Sequence, residues 1–112
     1  MPDAEDVRRI ALSLPDTTEV ERWGHPTFDV AGRMFITVPD DQTSFAVRCP
    51  KLERDELIAS EPDKFWVPPH EASSAWIRAR LSALEDLDEL YDILVDSWHQ
   101  VAPAHLLDQL ER

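Results

Sequence analysis

Cysteine, glycine and positive charge are all scarce in this sequence, and each scarcity removes a class of protein. The lone cysteine, Cys49, excludes an internal disulfide framework and every Cys-x-x-Cys zinc or redox motif. Only two glycines occur, Gly24 and Gly32, and neither stands in a phosphate-cradling spacing, so the P-loop and the dinucleotide fingerprint are missing and no cofactor is expected. No apolar run approaches the roughly 18 residues of a membrane span, so no membrane partner is expected either. Lys and Arg number 11 against 23 Asp and Glu, a formal charge of -12. A field of that sign repels phosphate backbones and acidic membranes unless the basic residues are segregated on one face. The cysteine usage points to a reduced, cytoplasmic setting, and residues 1–14 carry too much charge for a secretory leader.

What is present is a chain of 112 residues, enough for a single domain spanning 1–112 with one hydrophobic core. Val7, Ile10, Ala11 and Leu14 recur at helical spacing behind Asp3 as a cap, which predicts a helix over 4–14 stopped by Pro15. The period then changes to two, with strand-like runs at 19–22, 27–30, 33–38 and 44–49. Ala31-Gly32 supplies a tight turn between the second and third runs, and Pro39-Asp40-Asp41-Gln42 supplies another between the third and fourth. A short helix over 51–60, a strand fragment at 65–67 stopped by Pro68-Pro69, and a strand over 75–81 follow. Leu87, Leu90, Tyr91, Leu94, Trp98 and Val101 make the strongest helical stripe, over 87–101, and Pro103 opens a last short helix to 110. This order predicts an α+β two-layer sandwich, an antiparallel sheet with helices on one face. Phe45, Val47, Ile77, Leu90, Leu94 and Trp98 are expected to share its core.

Longer segments carry a family resemblance. Leu12-Ser13-Leu14-Pro15, then Trp23-Gly24-His25-Pro26-Thr27-Phe28 and Val30-Ala31-Gly32-Arg33-Met34-Phe35, resemble the MmcQ/YjbR family. So do Trp76-Ile77-Arg78-Ala79-Arg80-Leu81, the helix start Leu87-Asp88-Glu89-Leu90 and the run Ser97-Trp98-His99-Gln100-Val101-Ala102-Pro103. The resemblance implies a frataxin-like (CyaY-like) sandwich, described as a double-wing DNA-binding domain, with no assigned catalytic residues. Two positions depart from that pattern: Asp16 stands where glycine is usual and Arg33 where lysine is usual.

Strict alternation along the strands assigns faces. Met34, Ile36, Val38, Phe45, Val47, Cys49, Ile77, Ala79 and Leu81 fall on an apolar side. Arg33, Phe35, Thr37, Ser44, Ala46, Arg48, Trp76, Arg78 and Arg80 fall on the other. That second face carries four arginines suited to phosphate or carboxylate, with Phe35 and Trp76 available to stack a base, and nucleic acid is the partner the resemblance favours. The simpler account is that these arginines solubilise an open sheet and pair with acids such as Asp29. An alternative from another class is a small-molecule-binding or drug-sequestering protein, with Trp23, His25 and Trp66 joining Trp76 around an aromatic pocket. A third is an acidic interaction module that offers the Glu85 to Asp96 face to a basic protein, within a segment, 85–111, that holds eight acids and no Lys or Arg. Asp88, Asp92, Asp96 and His99 line one helix face, which reads as a solvated face, and no metal is expected there. No nucleophile–base pair or His-Glu-x-x-His spacing is visible, so the sequence points to a binding module and away from catalysis.

Overall fold

The computed structural model describes residues 2–39 and 41–110. Helix α1, Ala4–Ser13, opens on a reciprocal cap: Asp6 N–H donates to the Asp3 carboxylate at 2.9 Å, and Asp3 N–H donates to the Asp6 carboxylate at 3.0 Å. Six strands follow the order of the sequence reading: β1 Thr17–Arg22, β2 His25–Val30, β3 Arg33–Thr37, β4 Ser44–Arg48, β5 Phe65–Trp66 and β6 Trp76–Arg80. They form one antiparallel sheet ordered β1-β2-β3-β4-β6-β5. Helix α2 is Lys51–Ser60, α3 is Leu87–Val101, and the last helix, α4, is Ala104–Leu107, shorter than the 103–110 read from the sequence.

Two hairpins are closed by two-residue turns. Trp23-Gly24 joins β1 to β2 and Ala31-Gly32 joins β2 to β3, all four residues having positive φ, the pattern of the type I′ turn that matches strand twist. His25 and Pro26 therefore belong to a strand, where the sequence reading had a longer loop. In the turn expected at 39–42, Asp40 lies outside the described residues, and Gln42 takes φ +57. The family's usual glycine position is also explained: Asp16 sits at φ +57, in the left-handed region.

Helix α3 packs on β3 and β4 in the middle of the sheet, α1 packs on the edge strand β1 and on α3, and α2 lies against β5 and β6. One apolar cluster includes all six residues expected in the core, with Phe45, Leu90, Leu94 and Trp98 fully buried. Trp98 also finds a partner for its indole N–H, the Pro15 carbonyl at 3.0 Å. No helix among the described residues is long and apolar enough to cross a membrane.

The face assignment fails at one place, and the reason is local. Opposite the Phe28–Asp29 step of β2, strand β3 carries one extra residue: Phe28 pairs with Ile36 but Asp29 pairs with Met34. Phe35 is the bulged residue. Its side chain, expected on the arginine face, is completely buried in the core beside Ile36, and Met34, expected in the core, moves to the opposite face. The bulge also breaks the β3–β4 ladder, whose pairs are Ile36–Val47 and Thr37–Ala46. Helix α3 repairs the gap: Ser97 Oγ donates to the Phe35 carbonyl at 2.6 Å and accepts from Arg48 N–H at 2.9 Å. Gln100 Nε2 donates to the Arg48 carbonyl, also at 2.9 Å.

Candidate functional site

The helix-free face of the sheet holds a cleft of about 290 Å³. Its floor is Met34 and Thr37 of β3 with Ala46 of β4, and Trp23 and His25 from the β1–β2 hairpin form one side. Trp76 and Arg78 of β6 form the other, together with Glu71 and Ser74 from the segment between β5 and β6. A floor this low needs a small residue between larger neighbours, which is the part Ala46 plays between Thr37 and Arg78, its partners across the sheet. Trp23 is 72 % exposed at φ +56, its ring 6.0 Å from that of His25 and tilted by 35°. A bulky side chain in the left-handed region is a strained choice where asparagine or glycine would serve.

The 72–76 segment that walls the cleft is fixed from behind by a buried arginine of α2. Arg54 donates to the carbonyls of Ser74 at 2.7 Å, Ala72 at 2.9 Å and Trp76 at 3.3 Å. Its Nε is the buried side-chain nitrogen left without a hydrogen-bond partner among the described residues. Pro68 and the short 3-10 turn Pro69–Glu71 bring the chain back over the sheet, so that Glu71 reaches Arg78. The pair is bidentate, Arg78 Nε to Glu71 Oε1 at 3.1 Å and Arg78 Nη2 to Glu71 Oε2.

The expected arginines thus have different fates. Arg78 lines the cleft with its charge answered by Glu71. Arg80 lies outside it, stacked 4.2 Å from the Trp66 ring centroid and donating to the Asp63 carbonyl at 3.0 Å. Trp66 is consequently not part of the cleft that Trp23, His25 and Trp76 share. Arg48 stacks 4.6 Å from the Trp76 centroid and donates from Nε to the Met34 carbonyl at 2.9 Å, tying β4 to the bulged strand. Burial, and then the charge of Arg33, hold the Arg48 guanidinium below its ordinary pKa. Arg33 is exposed at the start of β3, off the cleft, and Phe35 is in the core where it stacks on nothing in solvent.

Several cleft residues were not singled out by sequence reasoning. Met34 was hidden by the bulge, while Glu71 and Ser74 come from a segment with no periodicity to assign it a face. The only signal was the Pro68-Pro69 pair, which marks a reversal of the chain. Arg22 was missed as well: it makes a two-pronged pair with the 5 %-exposed Asp29 at 2.7 and 2.8 Å and donates to Thr27 Oγ1 at 2.8 Å. The Asp29 hydrogen bond, first, and its charge, opposed by desolvation, raise the Arg22 guanidinium above its ordinary range. Among the described residues, no three His, Cys, Asp or Glu side chains gather to hold a metal ion.

A model of the YjbR family matches residues 12–100, which takes in every strand of the sheet and nearly all of α3. The fold is similar to that of a Deinococcus radiodurans protein, DR2400, whose crystal structure carries the domain designation DUF419. The two superpose with a TM-score of 0.77 over 97 % of this chain and 88 % of that one, at 17 % sequence identity.

Proposed function

This chain belongs to the YjbR family, and from that footing we propose that it is a small binding module taking an uncharged planar aromatic molecule in the cleft between Trp23 and Trp76. The observation that carries the reading is Trp23 itself. For an exposed tryptophan held at positive φ beside a concave apolar floor, the small covered surface does no more than offset the backbone strain, and strain of that kind is retained where a side chain must be displayed. Met34 and Ala46 supply apolar contact from below, the indoles of Trp23 and Trp76 supply stacking surfaces, and Thr37, Ser74 and His25 supply polar groups to orient a ring edge. The ligand's neutrality follows from the charge balance: the cation and anion lining the cleft, Arg78 and Glu71, already neutralise each other.

A nucleic-acid reading keeps one observation in its favour. Arg48 makes no salt bridge with a carboxylate among the described residues and stands close enough to Arg33 for the two to repel, so a phosphate between them would relieve both. A single experiment separates the readings. Quinoline and lumichrome, followed by tryptophan fluorescence, should bind with an affinity that hardly changes between low and moderate salt and that Trp76→Ala abolishes. Labelled single-stranded and duplex DNA, followed by anisotropy under the same conditions, should not bind. Oligonucleotide binding that weakens steeply with salt, with no response to the planar probes, would transfer the function to nucleic acid.

A further inference from the structure

A second concavity lies on the opposite side of the sheet, where α2 covers it incompletely. Only Arg54 of α2 is buried, Leu57 and Ile58 being half-buried, so that helix leaves apolar sheet surface unsealed. The resulting groove, about 200 Å³, is lined by Val47 and Cys49 at the end of β4, Phe65 of β5, Ile77 of β6, Leu57 of α2 and Ile93 of α3. For scale, an apolar cavity of about 150 Å³ holds benzene. Asp92 and Asp96 complete the lining, exposed and one turn apart on α3.

We infer that this groove is a binding site for a small hydrophobic amine, an apolar body of about one six-membered ring carrying a single ammonium group on a short arm. The apolar side chains take the body out of water, and the two carboxylates receive the ammonium. Arg48, the one cation among the described residues whose atoms touch the groove, sends its guanidinium to the other face of the sheet, to the Met34 carbonyl and the Trp76 ring. The carboxylates of Asp92 and Asp96 give the groove an acidic rim. Burial first, and then the charges of Glu53 and Asp96, opposed by that of Arg54, push the Cys49 thiol up to about 11. A ligand of the same shape with no charge keeps the apolar contacts and loses the carboxylates; an anionic one meets repulsion from them and from the net charge of -12.

That ordering is the test. Amide NMR titrations use 2-phenylethylamine, 2-phenylethanol and phenylacetate, three probes that share a phenyl ring on a short arm and differ in charge. The amine should bind at least tenfold more tightly than the alcohol, with shifts centred on Cys49, Leu57 and Ile93, and phenylacetate should produce none. Asp92→Asn with Asp96→Asn should bring the amine to the level of the alcohol while leaving the alcohol unchanged. Ile93→Trp should fill the groove and abolish both, and Leu57→Trp on the solvent-side helix repeats the block if the first variant does not fold. Equal binding of amine and alcohol overturns the inference, as does the lack of any shift at millimolar concentration. Shifts confined to Trp23, Met34 and Trp76 would instead assign the amine to the other cleft and overturn it too.

Discussion

Replacing Trp23 by asparagine separates display from stability. In the folded chain Trp23 holds φ +56 ahead of Gly24, and only about a quarter of its surface is covered, since it is 72 % exposed. With a tryptophan side chain of about 200 Å², that covered quarter is about 55 Å², worth at most about 1.4 kcal/mol at 25 cal/mol per Å². Against it stands the left-handed backbone, which disfavours an ordinary L-residue by about 1–2 kcal/mol and which asparagine tolerates far better. The two effects nearly cancel, so Trp23→Asn should leave the unfolding free energy within about 1 kcal/mol of wild type. Ligand binding in the cleft should fall at least tenfold. The neighbouring hairpin supplies the control: Ala31-Gly32 has the same turn at φ +50 and +81, and exposed Ala31 has little side chain to lose. Ala31→Asn therefore isolates the backbone effect and should stabilise by about 1 kcal/mol without altering binding. Urea unfolding of the three proteins, with binding titrations on each, measures every quantity. A loss above about 2 kcal/mol in Trp23→Asn would mean that the indole covers the sheet edge structurally, and the display argument would fail.

The remaining expectations follow from single contacts. Ser97→Ala should destabilise by about 2–3 kcal/mol, because the Phe35 carbonyl and Arg48 N–H both lose their partner at a buried break in the ladder; a loss under about 0.5 kcal/mol would mean the strands close the gap themselves. Arg54→Leu should cost about 3 kcal/mol and abolish cleft binding, since three carbonyls of the 72–76 wall lose their donor; retention of binding in the folded variant would refute the positioning role. Trp98→Ala should lose roughly 3–5 kcal/mol in denaturant unfolding. Cys49 sets a pH dependence: its folded value, about 11, lies above that of an unfolded thiol, so its contribution is intact below about pH 8.5 and is lost as pH rises towards 11. Wild type should therefore lose about 2 kcal/mol more than Cys49→Ala between pH 8 and 10.5, and parallel curves would show that the thiol is not held protonated.

Most of the architecture is legible because it rests on periodicity. The α3 stripe from Leu90 to Val101, the Asp3 cap and the Ala31-Gly32 turn are local signals, and each reappears where the residues put it. The α+β sandwich then follows from the need of each apolar face for a partner. The cleft was only half legible for a matching reason. Trp23, His25, Trp76 and Arg78 announce themselves by residue type, but Glu71 and Ser74 arrive through a turn and through the hold of Arg54 on distant carbonyls, neither of which has a period.

The β3 bulge shows why a face cannot be assigned by alternation alone. In Arg33-Met34-Phe35-Ile36-Thr37, strict alternation places Phe35 with the arginines and Met34 with the core, and nothing inside the five residues contradicts it. The signal that decides lies 62 residues away, in Ser97. A serine in the otherwise apolar stripe of α3, fully buried, needs polar partners, and a regular β3–β4 ladder would offer it none. Its hydroxyl is satisfied only because the bulge frees the Phe35 carbonyl and Arg48 N–H. The same displacement turns Met34 into the cleft floor and leaves its carbonyl to receive Arg48 Nε, which holds that guanidinium against Trp76. One extra residue in a strand thus connects the helix layer to the cleft. A buried serine in an apolar helix stripe is therefore a reason to look for a broken ladder in the sheet beneath it before assigning that strand's faces.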